Sequence, residues 1–115
     1  MRVIWTPEAE ADRELVWEYI ATDSPSAAAR MDELFDTAAQ RLSEFPELGR
    51  LGRIPGTREL VAHENYQIVY EVSGELVWVL ALVHTARLWP PLRGDSWERV
   101  NPRHLDGEFH LYSPA

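Results

Sequence analysis

Leu76-Val77-Trp78-Val79-Leu80-Ala81-Leu82-Val83 is the stretch from which the fold can be read. Successive side chains of a strand point to opposite faces, and here both sets are apolar: Leu76, Trp78, Leu80 and Leu82 on one side, Val77, Val79, Ala81 and Val83 on the other. Such a strand belongs in the middle of a sheet with cover on both faces. Upstream, Asn65 to Val72 alternates, with Tyr66, Ile68, Tyr70 and Val72 on one side, and Ser73-Gly74 is a tight-turn signal between the two strands. Thr57 to His63 alternates as well, which makes a meander of three strands. The segment before it is punctuated by Gly49, Gly52, Pro55 and Gly56 and holds Arg50 and Arg53, so a mobile basic loop is expected there.

The N-terminal half has helical punctuation. Met1-Arg2-Val3-Ile4-Trp5 is short and β-prone, and Thr6-Pro7 supplies an N-cap hydroxyl followed by proline at the first helical position. Glu8 and Glu10 place negative charge in the first turn, where the helix dipole favours it. The helix should run to about Ala21, with a stripe of Ala9, Val16 and Ile20 that is interrupted by Arg13. Asp23-Ser24-Pro25 repeats the start signal, and Ala28, Met31, Leu34, Phe35, Ala38 and Leu42 follow at helical spacing until Pro46 and Gly49 end the helix. The order is β-α-α-β-β-β, an α+β fold in which an antiparallel helical hairpin packs on a small, mainly antiparallel sheet.

Composition narrows the class of protein. The 115 residues are enough for a single domain; residues 1–90 account for the pattern, and residues 91–115 read as a C-terminal extension. With no cysteine, there is no disulfide scaffold, thiol nucleophile or Cys-built zinc site, and a reducing, cytoplasmic setting is expected. No apolar run approaches the roughly 20 residues of a membrane span. His63, His84, His104 and His110 lack metal-type spacing, so neither a metal nor a cofactor is expected. The formal charge is −8, and all 11 basic residues are Arg. Residues 1–48 hold 11 acidic residues against 4 Arg, or −7, whereas residues 49–90 hold 4 against 4 and are neutral. The acidity lies in the hairpin, and the sheet half can still present a cationic face.

The element order, taken with Trp5-Thr6-Pro7, Ala9 and Asp12, Tyr19-Ile20, Phe45-Pro46-Glu47-Leu48-Gly49-Arg50, Arg58-Glu59-Leu60-Val61, Tyr66-Gln67-Ile68-Val69-Tyr70 and Val83-His84-Thr85-Ala86-Arg87, closely resembles the RelE/ParE superfamily of type II toxin-antitoxin toxins. The resemblance implies a small toxin silenced by a cognate antitoxin. It also implies one of two actions: ParE-like inhibition of DNA gyrase by binding, or RelE-like cleavage of mRNA on the ribosome without a metal. An attenuated toxin is a third possibility.

Metal-free RNA cleavage needs a base for the ribose 2′-hydroxyl, a cation for the phosphate and an acid for the leaving oxygen. The positions matching the RelE-like working residues are Arg58, His84 and Arg87, with Tyr66 and Tyr70 as secondary candidates. Relatives commonly carry basic residues where this chain has Gln67 and Ala81, and loss of one charge-stabilising contact costs roughly 10²–10³ in rate. That departure favours the gyrase-directed reading. For partner binding, Trp5, Trp17, Arg50, Arg53 and Trp89 are the candidates, because Trp and Arg dominate interface hot spots. The extension at 91–115, with Trp97, Phe109 and Tyr112, is expected to dock on the domain or on a partner; resistance of this segment to limited proteolysis in the antitoxin complex is the expected result, and rapid cleavage would remove the expectation.

Overall fold

The computed structural model describes residues 1–86, 89 and 90; the 91–115 extension and Arg87 lie outside the described residues. The order is β1 (Arg2–Trp5), α1 (Pro7–Ala21), α2 (Pro25–Glu44), β2 (Arg50–Leu51), β3 (Arg58–His63), β4 (Tyr66–Ser73) and β5 (Leu76–His84). Both helices begin where their caps dictate. The Thr6 hydroxyl accepts the Ala9 N–H at 3.2 Å, and the Ser24 hydroxyl accepts the Ala27 N–H at 3.2 Å.

The five strands lie in the order β1-β5-β4-β3-β2, with β1 parallel to β5 and the remaining neighbours antiparallel. β5 is therefore interior, as its two apolar faces require. Ala9, Phe35, Ala38 and Leu42 of the helices close over Ile68, Tyr70, Val77, Val79 and Leu82 on one face. On the other face Val69, Ala81 and Val83 pack with Trp89 and with Ile54 of the β2–β3 loop.

Two details depart from the sequence reading. The strict alternation expected along β5 fails at Leu80, which has no partner on β4: Tyr70 pairs with Val79 and Val69 with Ala81. This bulge shifts the pattern by one residue. The side facing the helices is then Val77, Val79, Leu82 and His84, rather than Val77, Val79, Ala81 and Val83. Second, the expected mobile loop contains β2, and it is pinned. The carboxylate of Glu59 is fully buried, accepting from Arg50 Nη2 at 3.0 Å and from the Arg53 backbone N–H at 3.1 Å. An unpaired buried carboxylate is costly, so the loop closes on it.

Arg13, the residue that interrupts the stripe of α1, joins the two helices. It binds Asp32 through Nε at 2.6 Å and Asp36 through Nη2 at 2.7 Å, while its guanidinium lies 4.8 Å from the centre of the Trp5 ring. Burial alone would lower its pKa, but the hydrogen bonds and charges of Asp32 and Asp36 outweigh this and raise it.

α1 also satisfies the edge of β5 that β1 leaves open. β1 reaches only as far as Val79; beyond it the Thr6 hydroxyl donates to the Leu80 carbonyl at 3.4 Å, and Asp12 Oδ2 accepts the Leu82 N–H at 3.0 Å. At the opposite side of the sheet, Tyr70 ties down the chain leaving α2. Its buried hydroxyl donates to the Pro46 carbonyl at 2.7 Å and accepts the Gly49 N–H at 2.9 Å. A Cβ at Gly49 would lie 2.9 Å from that hydroxyl, so only glycine fits.

Asp12→Ala orphans the Leu82 N–H and should lower unfolding stability by about 1–3 kcal/mol, with Asp12→Asn costing less because it keeps an acceptor; urea titration of both variants checks this. Tyr70→Phe should cost a similar amount, about 1–3 kcal/mol, for the lost acceptor and donor. Burial raises the Tyr70 pKa against smaller opposing effects of the Gly49 N–H and Arg58. Its contribution is therefore complete below the ordinary tyrosine value of about 10 and is lost as pH rises through the higher folded value, and Tyr70→Phe should lack that alkaline loss.

Candidate functional site

Arg58 and His84, two of the RNase candidates, are placed on either side of β4 and apart along it. Arg58 pairs across the sheet with Tyr70, and His84 pairs with Tyr66. Four residues along β4 and two strand spacings separate them, roughly 17 Å between backbones. Arg58 Nη1 donates to the Gly49 carbonyl at 2.8 Å and more weakly to that of Glu47 at 3.4 Å, so its guanidinium reinforces the corner that Tyr70 holds. Tyr70 is buried, with both functions of its hydroxyl engaged.

His84 and Tyr66 do come together. Their rings meet edge to face at 5.1 Å, and Phe35 supports Tyr66 from the other side at 5.7 Å. The Ala86 N–H donates to His84 Nδ1 at 3.0 Å, which favours the tautomer with its proton on Nε2. Thr85 fixes the strand end to the β3–β4 turn: its N–H donates to the Asn65 carbonyl at 2.8 Å and its hydroxyl to that of Glu64 at 3.1 Å. Both aromatic residues line a cleft of about 400 Å³ between α1 and the end of β5, together with Asp12, Leu15, Val16 and Tyr19. Leu15 and Tyr19 stand outside the α1 stripe of Ala9, Val16 and Ile20, and they become cleft wall only where α1 meets β5.

The candidate partner residues divide between two regions. Arg50 and Arg53 project half-exposed from the second face of the sheet around Glu59, and Arg53 Nη1 donates to the Trp89 carbonyl at 2.6 Å. Trp89 itself is buried against Val69, Ala81 and Val83. On the helical side, Trp5 is half-buried beneath Arg13, while Trp17 is 41% exposed beside Glu14 and Asp32. Adjacent strand residues point to opposite faces, which explains why Glu59 gathers Arg50 and Arg53 while Arg58, its sequence neighbour, serves the helix side. Among the described residues no helix is long and apolar enough to cross a membrane.

Comparisons with known proteins agree with this architecture. Toxin RelE2 of Caulobacter vibrioides is 44% identical over 87 residues, covering 76% of this chain and 98% of that protein. A chain of the chromosomal ParDE TA system from P. aeruginosa has the same fold, with a TM-score of 0.66 at 22% identity over 73% of this chain and 95% of its own length. A YoeB/ParE toxin from Agrobacterium tumefaciens has it too, with a TM-score of 0.55 at 24% identity over 73% of this chain and 98% of its own. The family model for the ParE toxin of type II toxin-antitoxin systems, parDE, matches residues 3–89. Two capped helices folded over a mixed five-stranded sheet, matched in sequence across that span, place the chain in the ParE toxin family of the RelE/ParE superfamily, whose type II systems pair each toxin with an antitoxin.

Proposed function

We propose that the chain arrests growth in the cytoplasm by binding DNA gyrase and inhibiting it, and that its antitoxin holds it silent. The observation that carries this reading is the separation of Arg58 from His84. Base, cation and acid must all reach one phosphate, yet Arg58 and His84 stand roughly 17 Å apart along the sheet register, and Arg58 is held by backbone carbonyls. Among the described residues, the sheet face opposite the helices at β4 and β5 is apolar where Val69, Ala81 and Val83 pack with Trp89. What remains accessible suits protein recognition better than catalysis. Trp17, Arg50 and Arg53 are the exposed partner candidates, with the Trp89 carbonyl holding Arg53 and with Trp5 half-buried beneath Arg13.

Ribosome-dependent mRNA cleavage is the second reading, favoured by one observation: the Tyr66–His84 pair opens onto the cleft. There His84 would act as base or acid, with Arg87 three residues further on as the cation. The two actions separate cleanly in cells and in vitro. Induction of the chain should stop DNA supercoiling by gyrase, with purified protein reproducing the block, while mRNA stays intact. Cleaved mRNA with normal supercoiling would replace this reading with the second, and His84→Ala should then abolish growth arrest without unfolding the domain.

A further inference from the structure

Among the described residues the two faces of the sheet are covered unequally. α1 and α2 close over one face, whereas on the other the packed cover is Ile54 and Trp89, seated on Val69, Ala81 and Val83. Strand register carries this second face further, towards the β4–β5 turn. Val3 and Trp5 pack into the helix-side core, so Ile4 between them points the other way, beside its partner Trp78. Trp78 is 4% exposed and Leu80, two residues on, is 0% exposed, yet neither belongs to either packed cluster. An indole buries about 150–250 Å² of surface, and on a sheet face that takes chain lying across it.

The segment after residue 90 is placed to supply that chain. Trp89 is buried on this face, and Arg53 Nη1 holds its carbonyl at 2.6 Å, so the chain sets out towards residue 91 from the surface that has to be covered. Residues 91–115 extended would reach roughly 80 Å, against about 10 Å along β5 from Ala81 to Trp78. Trp97, Val100, Leu105, Phe109, Leu111 and Tyr112 give the segment large apolar groups. Its 4 acidic residues against 3 Arg make it −1, which the helical hairpin at −7 repels and the neutral sheet half does not. The family match ends at residue 89, so the segment is this chain's addition to the common fold.

We propose that residues 91–115 fold back across the sheet face opposite the helices and cover Trp78, an intramolecular strap that withdraws this face from the surfaces open to the antitoxin and to the target. The strap is independent of which target the toxin has.

Because the chain has no cysteine, one introduced thiol can carry a photo-crosslinker at a chosen place. Arg2→Cys puts it on the exposed edge of β1, paired with Leu76 and on the same face as Ile4 and Trp78. Leu15→Cys puts it on α1, at a position 64% exposed on the helical side. In the antitoxin-free full chain, the Arg2→Cys probe should capture a peptide from residues 91–115 of its own molecule, with a yield unchanged on tenfold dilution. The Leu15→Cys probe should capture that segment at least about tenfold less. Hydrogen exchange of the unsubstituted chain should slow amides between 97 and 112 by about tenfold or more relative to an unstructured peptide, a measurement that needs no variant. The proposal is overturned if Arg2→Cys captures no peptide from the segment, if Leu15→Cys captures it equally well, or if those amides exchange at the unstructured rate throughout. A covalent dimer in place of the internal product would give the face to a second copy and overturn it. So would capture that appears only once antitoxin is added. Failure of the chain to inhibit gyrase would bear on the target and leave these outcomes standing.

Discussion

β5 is longer than the strand beside it, and much of the molecule follows from how that difference is made good. β1 pairs with Leu76 to Val79 only, while β5 continues to His84. A buried strand edge cannot leave its N–H and C=O groups without partners, so something other than a strand has to supply them. α1 does so, with the Thr6 hydroxyl at the Leu80 carbonyl and the Asp12 carboxylate at the Leu82 N–H. Because Thr6 caps the helix and Asp12 lies within it, the helix cannot pivot away without exposing the strand. Beside these anchors, between α1 and the end of β5, lies the cleft lined by Asp12, Tyr19, Tyr66 and His84.

A second buried group organises the other end of the sheet. Glu59 is the counterpart of Asp12: one carboxylate closes a loop, the other closes a strand edge. Around Glu59 the arginines are half-exposed and face outward on the sheet side opposite the helices. The chain thus separates its surface by charge, with carboxylates along α1 and guanidinium groups on the β2–β3 corner. The net value of −8 conceals this division, since the sheet half sums to zero while Arg50 and Arg53 stand together around Glu59. A protein of this kind can meet a basic partner and an acidic one at the same time, on different faces.

Local chemistry in the sequence was sufficient for most of the fold. Thr6-Pro7 and Ser24-Pro25 start the helices because a hydroxyl before proline satisfies the first free N–H groups, and that requirement is met within four residues. The two-sided apolar run from Leu76 marks the interior strand for the same reason. Arg13 was legible as an interruption, although its partners, 19 and 23 residues away, were not. The features that escaped are all non-local. β2 is two residues long and exists because β3 lies beside it. Glu59 looks like a surface partner for Arg58 until the pleat sends the two to opposite faces. Of the candidate site, the chemistry of His84 and Tyr66 was visible residue by residue, but their meeting, and the distance of Arg58 from both, depend on strand register. Leu15 and Tyr19 could have been found from the mismatch between a large apolar side chain and a helix face already crowded with carboxylates.

The unpaired residue Leu80 has a consequence for how the family's sequences are compared. Up to Val79, odd-numbered residues of β5 face the helices; from Leu82 onward, even-numbered ones do. The bulge is thus a parity switch within a single strand, and His84 belongs to the helical side only because one residue is looped out before it. A relative lacking that residue would present the equivalent histidine to the opposite side of the sheet while its sequence remained nearly unchanged. Alignment columns after this point therefore carry meaning only when the phase of the strand is known, and a single-residue gap at Leu80 exchanges the two chemical surfaces of the strand's end.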